Sequence, residues 1–288
     1  MQRLDGVLLL DKPVGPSSST VLQAVKKLFN AKKAGHAGTL DPLASGLLPL
    51  LFGEATKFAQ YGLDAPKEYL ATVRFGIATD TGDAEGKVLE TRPVAIDDPA
   101  LAGALARFRG VIDQVPPMHS ALKRDGQPLY ALAREGLSVE RAPRRVEVYE
   151  LELLGRTPDT IDLRIRCSKG TYIRQIAADL GAALGTGAHL AALRRTAVGK
   201  LRIEDAIAFD ALEALGPSVL RPVDRLLEEL PRLDLDSGQA SQFLHGGAVA
   251  LEGAAPEGSC RVYGDAQLLG IGRLQGGRLQ PIRSIARG

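Results

Sequence analysis

Apolar positions along this chain fall into two rhythms, a strand alternation and a helical stripe, and they predict most of its elements. Val7 to Leu10 is an unbroken apolar run closed by Asp11-Lys12-Pro13, which predicts a buried strand ending in a turn. Ser17, Ser18 and Ser19 then offer hydroxyls for a helix start. Val21, Leu22, Val25, Leu28 and Phe29 follow at helical spacing. Tyr69, Ala71, Val73 and Phe75 alternate along Lys67 to Phe75, which puts them on one face of a strand. Ile161, Leu163, Ile165 and Cys167 repeat that alternation. Directly after them, Ile173, Ile176, Leu180 and Leu184 form one stripe of a helix that stops at Gly185. Gly35 to Gly46 has no period and carries three glycines and Pro42, which predicts a loop. Pro116 to Pro143 is long and polar and predicts a projecting arm, about 117–145, around a short helix.

Strands and helices mix without a regular β-α-β rhythm. That favours an α+β fold with a mainly antiparallel mixed sheet flanked by helices. After Leu230-Pro231 the texture changes to short, glycine-rich segments, so a small β-rich domain is expected there. The expected division is 1–230 for a large domain and 233–288 for the small one, which suits a length of 288 residues. The longest apolar run, Leu47 to Phe52, is broken by Pro49 and is too short to cross a bilayer. Arg3 and Asp5 precede only four apolar residues, which is no secretory pattern. Cys167 and Cys260 lack metal-ligand spacing and read as reduced structural thiols of a cytoplasmic protein.

Net charge is only +2, so bulk charge announces no polyanion. Its distribution says more. Lys123, Arg124, Arg134, Arg141, Arg144 and Arg145 face three acids between Pro117 and Arg145. Five arginines face Asp265 alone from Arg261 onward, and between the two zones Glu204 to Asp236 holds nine acids against three arginines. Two basic zones around an acidic stretch fit a polyanion met at two places, although uneven surface charge explains them as well.

The sharpest segment is Gly35-His36-Ala37-Gly38-Thr39-Leu40-Asp41-Pro42-Leu43-Ala44-Ser45-Gly46-Leu47-Leu48. An isolated Asp-Pro pair in such a loop is ordinarily a turn. Here apolar sequence anchors the loop on its C-terminal side, and Lys32 and Lys33 just upstream suit phosphate. The segment resembles the GHxGTLDPxAxGxL signature of the TruB-type tRNA pseudouridine-55 synthases. Further blocks agree in order: Gly6 to Pro13, Gly53 to Lys57, Lys67 to Tyr69, Thr79 to Asp83, Pro116 to Lys123, Lys169 to Arg174, and Leu193 to Thr196. They span roughly the first two hundred residues. The C-terminal part is similar, more loosely, to the small PUA-like RNA-binding domain of that family. Ala37 and Ser45 stand where threonine is common in the family, and His119 where tyrosine is frequent.

The resemblance implies isomerisation of uridine to pseudouridine at position 55 in the T-loop of tRNA. It implies Asp41 as the catalytic nucleophile, Arg174 as its ionic partner, and Tyr69 as the ring stacked on the target base, with a hydroxyl suited to the final proton removal from C5. It also implies that Tyr172 and Leu193 line the pocket, that His36 fills the space the flipped base leaves, and that Lys12 and Lys57 meet phosphates. The chemistry explains the residue type. The C1′–N1 bond must break and C5 must be rejoined to C1′, and an ionised carboxylate can attack C1′, attack the base, or abstract a sugar proton. All three routes stay open. Arg174 is placed near a helix start, where a cation opposes the macrodipole, so a carboxylate partner accounts for it. Read alone, Tyr69 is a core tyrosine and Arg174 a solvated surface arginine. Asp80, Asp83 and Glu85 lack calcium-loop spacing and read as a turn. No organic cofactor and no catalytic metal are expected. The expected partner is the T-arm of tRNA, with no membrane and no protein partner, for a monomer. Two alternatives remain: a non-catalytic RNA chaperone or binding module, and a synthase acting on another RNA.

Overall fold

The computed structural model describes residues 1–288 except 121, 125, 135, 138, 252–256 and 286–288; for 123, 124, 128, 130, 131 and 134 only the backbone is described. The large sheet has ten strands among the described residues. Its main members are β1 (Gly6–Lys12), β2 (Ala34–His36), β3 (Ala44–Phe52), β4 (Lys67–Phe75), β5 (Gly110–Gln114), β6 (Arg144–Arg156), β7 (Thr160–Cys167) and β8 (Ala188–Val198). They run in the order β1-β3-β8-β4-β7-β6-β5. The short strand Ile207–Ala208 lies outside β1, β2 pairs with β3, and Leu201–Arg202 pairs with β8. All pairs are antiparallel except two, β3 with β8 and β1 with Ile207–Ala208. The fold is the α+β type expected.

The continuous apolar run of β1 has a physical reason. Leu8 and Leu10 enter one core with Val21, Leu22, Val25 and Phe29, while Val7 and Leu9 enter a second core on the opposite face. A strand covered on both sides has no polar face to show. The helix α1 (Ser18–Leu28) is capped by Ser17, whose hydroxyl accepts from the Thr20 amide. The arm holds a two-stranded hairpin, Lys123–Arg124 with Gln127–Pro128, followed by a short helix, Leu129–Arg134. Gly35 to Gly46 is not one loop, as its composition had suggested. Its ends pair as strands β2 and β3, leaving only 37–43 irregular. Gly35 and Gly46 hid the strand ends because a glycine removes the apolar signal without removing the backbone ladder.

A second, five-stranded sheet is built from Arg232–Leu235, Val249–Ala250, Gly258–Gly264, Gln267–Gln275 and Arg278–Ser284. It packs against the helix Ser237–Leu244, whose Asp236 forms a capping box with Gln239. Ile271 of this sheet shares an apolar cluster with Phe58 and Leu227, and the Tyr263 hydroxyl donates to Asp224. A cleft of about 550 Å³ runs between Lys57, Gln60, Tyr61 and Asp64 on one side and Ile282 and Arg283 on the other. Among the described residues no helix is long and apolar enough to cross a membrane.

Candidate active site

Asp41 sits in the turn just before β3, and four neighbours fix that turn from different elements. The Ser18 hydroxyl, at the first residue of α1, donates to the Leu40 carbonyl at 2.9 Å and accepts from the Leu40 amide at 2.8 Å. The Gly15 amide donates to the Pro42 carbonyl at 2.8 Å. The Lys12 ammonium donates to the Ala44 carbonyl at 2.7 Å and to that of Pro13 at the same distance. Arg195 of β8 donates to the carbonyls of Gly38 (3.1 Å), Thr39 (3.3 Å) and Leu47 (2.7 Å). Gly46 lets β8 come this close. At φ +101° a Cβ there would lie 2.3 Å from the Arg195 carbonyl oxygen, a clash that excludes any side chain.

The Asp41 carboxylate stands at the lip, 42% exposed, and Arg174 reaches it from below with a side chain only 6% exposed. Arg174 is the second residue of the helix α2 (Ile173–Ala183). Its Nε donates to Asp41 Oδ2 at 2.9 Å, and its two terminal nitrogens donate to the carbonyls of Thr81 (2.8 Å) and His119 (2.7 Å). A second carboxylate, Asp83 Oδ2, lies 3.5 Å from the same Nε and is buried. Asp83 is itself held by the Thr81 hydroxyl at 2.5 Å and the Glu85 amide at 3.1 Å. A guanidinium between two carboxylates and two carbonyls is fixed in both position and plane. The helix start is fixed too, because the buried Gln114 bridges both the amide and the carbonyl of Tyr172.

Tyr69 lies on β4, directly opposite Arg195 in the ladder with β8, and is half-buried. Burial pushes its phenol above the usual 10, and the adjacent Arg195 guanidinium pulls it back. Tyr172 precedes α2, and burial raises its phenol as well. Leu193 is opposite Ala44 of β3 and Ala71 of β4, so it borders the Asp41 turn. His36 closes β2; burial, and then the charge of Arg195, hold it below 6.5, in the neutral state at pH 7. Its Nδ1 is buried with no hydrogen-bond partner among the described residues.

Lys12 is 0% exposed, and its ammonium donates to the chain's own carbonyls. Lys57 is also engaged, with Glu54 at 2.6 Å and the Ser284 carbonyl at 3.1 Å, which ties the large domain to the tail. In the arm, Arg144 and Arg145 are exposed at the start of β6. The side chains of Lys123, Arg124 and Arg134, like Arg287 of the tail, lie outside the described residues. Asp83 and Arg195 escaped the residue-level reading. Asp83 looked like part of a turn, which it is, and Arg195 is an arginine on an otherwise apolar strand face. That second feature was a usable signal, since arginine is rarely buried without a purpose.

The profile described as "TruB family pseudouridylate synthase (N terminal domain)" matches residues 26–173. The chain belongs to the TruB family of pseudouridylate synthases. Residues 174–228 match "tRNA pseudouridylate synthase B C-terminal domain", and 231–285 match "Pseudouridine synthase II TruB, C-terminal". The tRNA pseudouridine synthase B of Aromatoleum aromaticum is 53% identical over 289 residues, 98% of this chain and 93% of that protein. The protein of the same name from Ralstonia pickettii is 53% identical over 298 residues, 97% of this chain and 94% of that one. Among solved structures, an H/ACA RNP bound to a substrate RNA containing 2'-deoxyuridine superposes with a TM-score of 0.75 at 25% identity. That match covers 97% of this chain and 84% of the other. The TruB-type blocks therefore lie on one continuous fold, with Asp41 and Arg174 brought together from positions 133 residues apart.

Proposed function

We propose that this chain isomerises uridine to pseudouridine at position 55 in the T-loop of tRNA, with Asp41 as its catalytic nucleophile, acting in the cytoplasm as a monomer. The observation that carries this is the Asp41–Arg174 pair at 2.9 Å, set in a turn fixed from four directions within a TruB-family fold. A carboxylate that is partly exposed, ionically paired from beneath and held rigidly is suited to act on a sugar carbon or a base that arrives from solvent. Reaching it requires the target nucleotide to leave the loop stack, at a cost of a few kcal/mol. Tyr69, Tyr172 and Leu193 border the place it would enter. His36, neutral and with an open ring nitrogen, is suited to the space left behind. The exposed Arg144, Arg145, Arg273 and Arg278 suit phosphate contacts, which position RNA without reading its sequence. We assign RNA binding to the tail, 233–288, and catalysis to 1–230.

The test uses unmodified tRNA carrying tritium at C5 of its uridines. Rejoining the base at C5 expels that hydrogen, so stoichiometric release is expected from intact tRNA. Replacing the position-55 uridine by cytidine should abolish release. Unchanged release from that variant would contradict the site assignment, and no release from intact tRNA would contradict the activity.

A further inference from the structure

Arg195 is among the largest fully buried side chains, 1% exposed, and no carboxylate among the described residues forms an ion pair with it. A buried guanidinium without an anion is costly, and an apolar side chain of similar volume would avoid that penalty. What surrounds it is informative. Three of its donors end on carbonyls of the segment that carries Asp41: Gly38 and Thr39 before the aspartate, Leu47 after it. Tyr69 is its cross-strand neighbour, and the guanidinium charge lowers the phenol's pKa against the effect of burial. One side chain thus links both halves of the proposed site.

We propose that Arg195 is a positioning residue for the reaction, clamping the Asp41 turn and holding the Tyr69 phenol as the base that removes the C5 proton. This rests on the reading of Asp41 and Tyr69 given above. Once C5 is bonded to C1′, the base carries a tetrahedral C5–H. Tyr69 in its phenolate form takes that proton. The C–H pair becomes the C5=C6 bond, the C6=N1 pair returns to N1, and N1 takes a proton from solvent. A phenolate in a half-buried site needs a nearby cation. The charged or titratable groups acting on Tyr69 are Arg195 from β8, Cys167 from β7 and Asp41 from its turn. Arg195 is the only cation of the three. Asp41 opposes ionisation, while burial pushes the Cys167 thiol up to about 11 and keeps it neutral over most of the working range, so the arginine is what favours the phenolate.

The test compares wild type, Arg195→Lys, Arg195→Met and Tyr69→Phe by single-turnover tritium release at saturating enzyme across pH 6 to 10, with tRNA Kd and thermal unfolding measured in parallel. Arg195→Met is expected to lower the rate about a hundredfold while leaving Kd nearly unchanged, as for a small displacement of reacting groups. It should also move the rise of rate with pH to higher pH, because the phenolate has lost its cation. A purely structural role would lower the rate without moving the profile. Arg195→Lys keeps the charge but cannot reach all three carbonyls, so its profile should stay while its rate falls. If Arg195→Met does not fold, Arg195→Lys decides, and a wild-type rate there overturns the proposal. An unmoved pH profile in folded Arg195→Met overturns it as well. A wild-type rate in Tyr69→Phe would instead sink the site reading beneath it.

Discussion

Lys12 shows how far a single residue's role depends on burial. A lysine near a turn in an RNA-modifying chain reads naturally as a phosphate contact, yet this one is fully buried beside Asp41. Burial pushes its ammonium from 10.5 down to about 8, although Asp41 and Glu85 favour the charge. The consequence for stability has a definite sign. Between about pH 8 and 10.5 the unfolded chain keeps a proton on Lys12 that the native chain has lost. The unfolded state then binds more protons, so Lys12 makes stability rise with pH across that window. Lys67, also lowered to about 8 mainly by burial, adds a contribution of the same sign. Urea unfolding at several pH values should show a steeper rise with pH in wild type than in Lys12→Met. Equal slopes would mean that Lys12 titrates at its ordinary value in the folded chain.

At the scale of elements, the site is a junction of turns held by strands and one helix. The turn around Asp41 is fastened by α1, β8 and the end of β1. The turn Thr79 to Asp83 meets the first residues of α2, where Arg174 joins the two. The alternation in β4 and β7 and the stripe in α2 were legible because each packs one face on the main core, and that face writes a period into the sequence. What was not legible is the work done by backbone carbonyls. Thr81 and His119 hold Arg174 through main-chain oxygen, which any residue can supply. Asp83 belongs to the same blind spot, because its role exists only once α2 lies against its turn. Asp83→Asn removes one of two carboxylates from Arg174 and should lower the bound-state rate by about tenfold or more, with tRNA affinity little changed. Single-turnover rate and Kd, measured together, check this. A wild-type rate would show that Asp41 and the two carbonyls suffice to fix the arginine.

Across the whole molecule, the tail is docked on the larger sheet's side of the chain rather than merely appended to it. Ile271 packs with Phe58 and Leu227, Tyr263 bonds Asp224, and Lys57 reaches the Ser284 carbonyl, so the two sheets are joined by apolar and polar contacts alike. The change of texture after Pro231 disclosed the second sheet, while the docking contacts left no trace in periodicity because they come from single residues far apart in sequence. The two basic zones remain suited to one polyanion, and Asp41 precedes both in chain order. The central claim concerns that aspartate, and one measurement reaches it directly. Tritium release from 5-labelled tRNA is followed for wild type and Asp41→Asn at saturating enzyme, with tRNA binding confirmed for both. The account predicts full release by wild type and background release by Asp41→Asn, with affinity retained. Release by Asp41→Asn at the wild-type rate would contradict it.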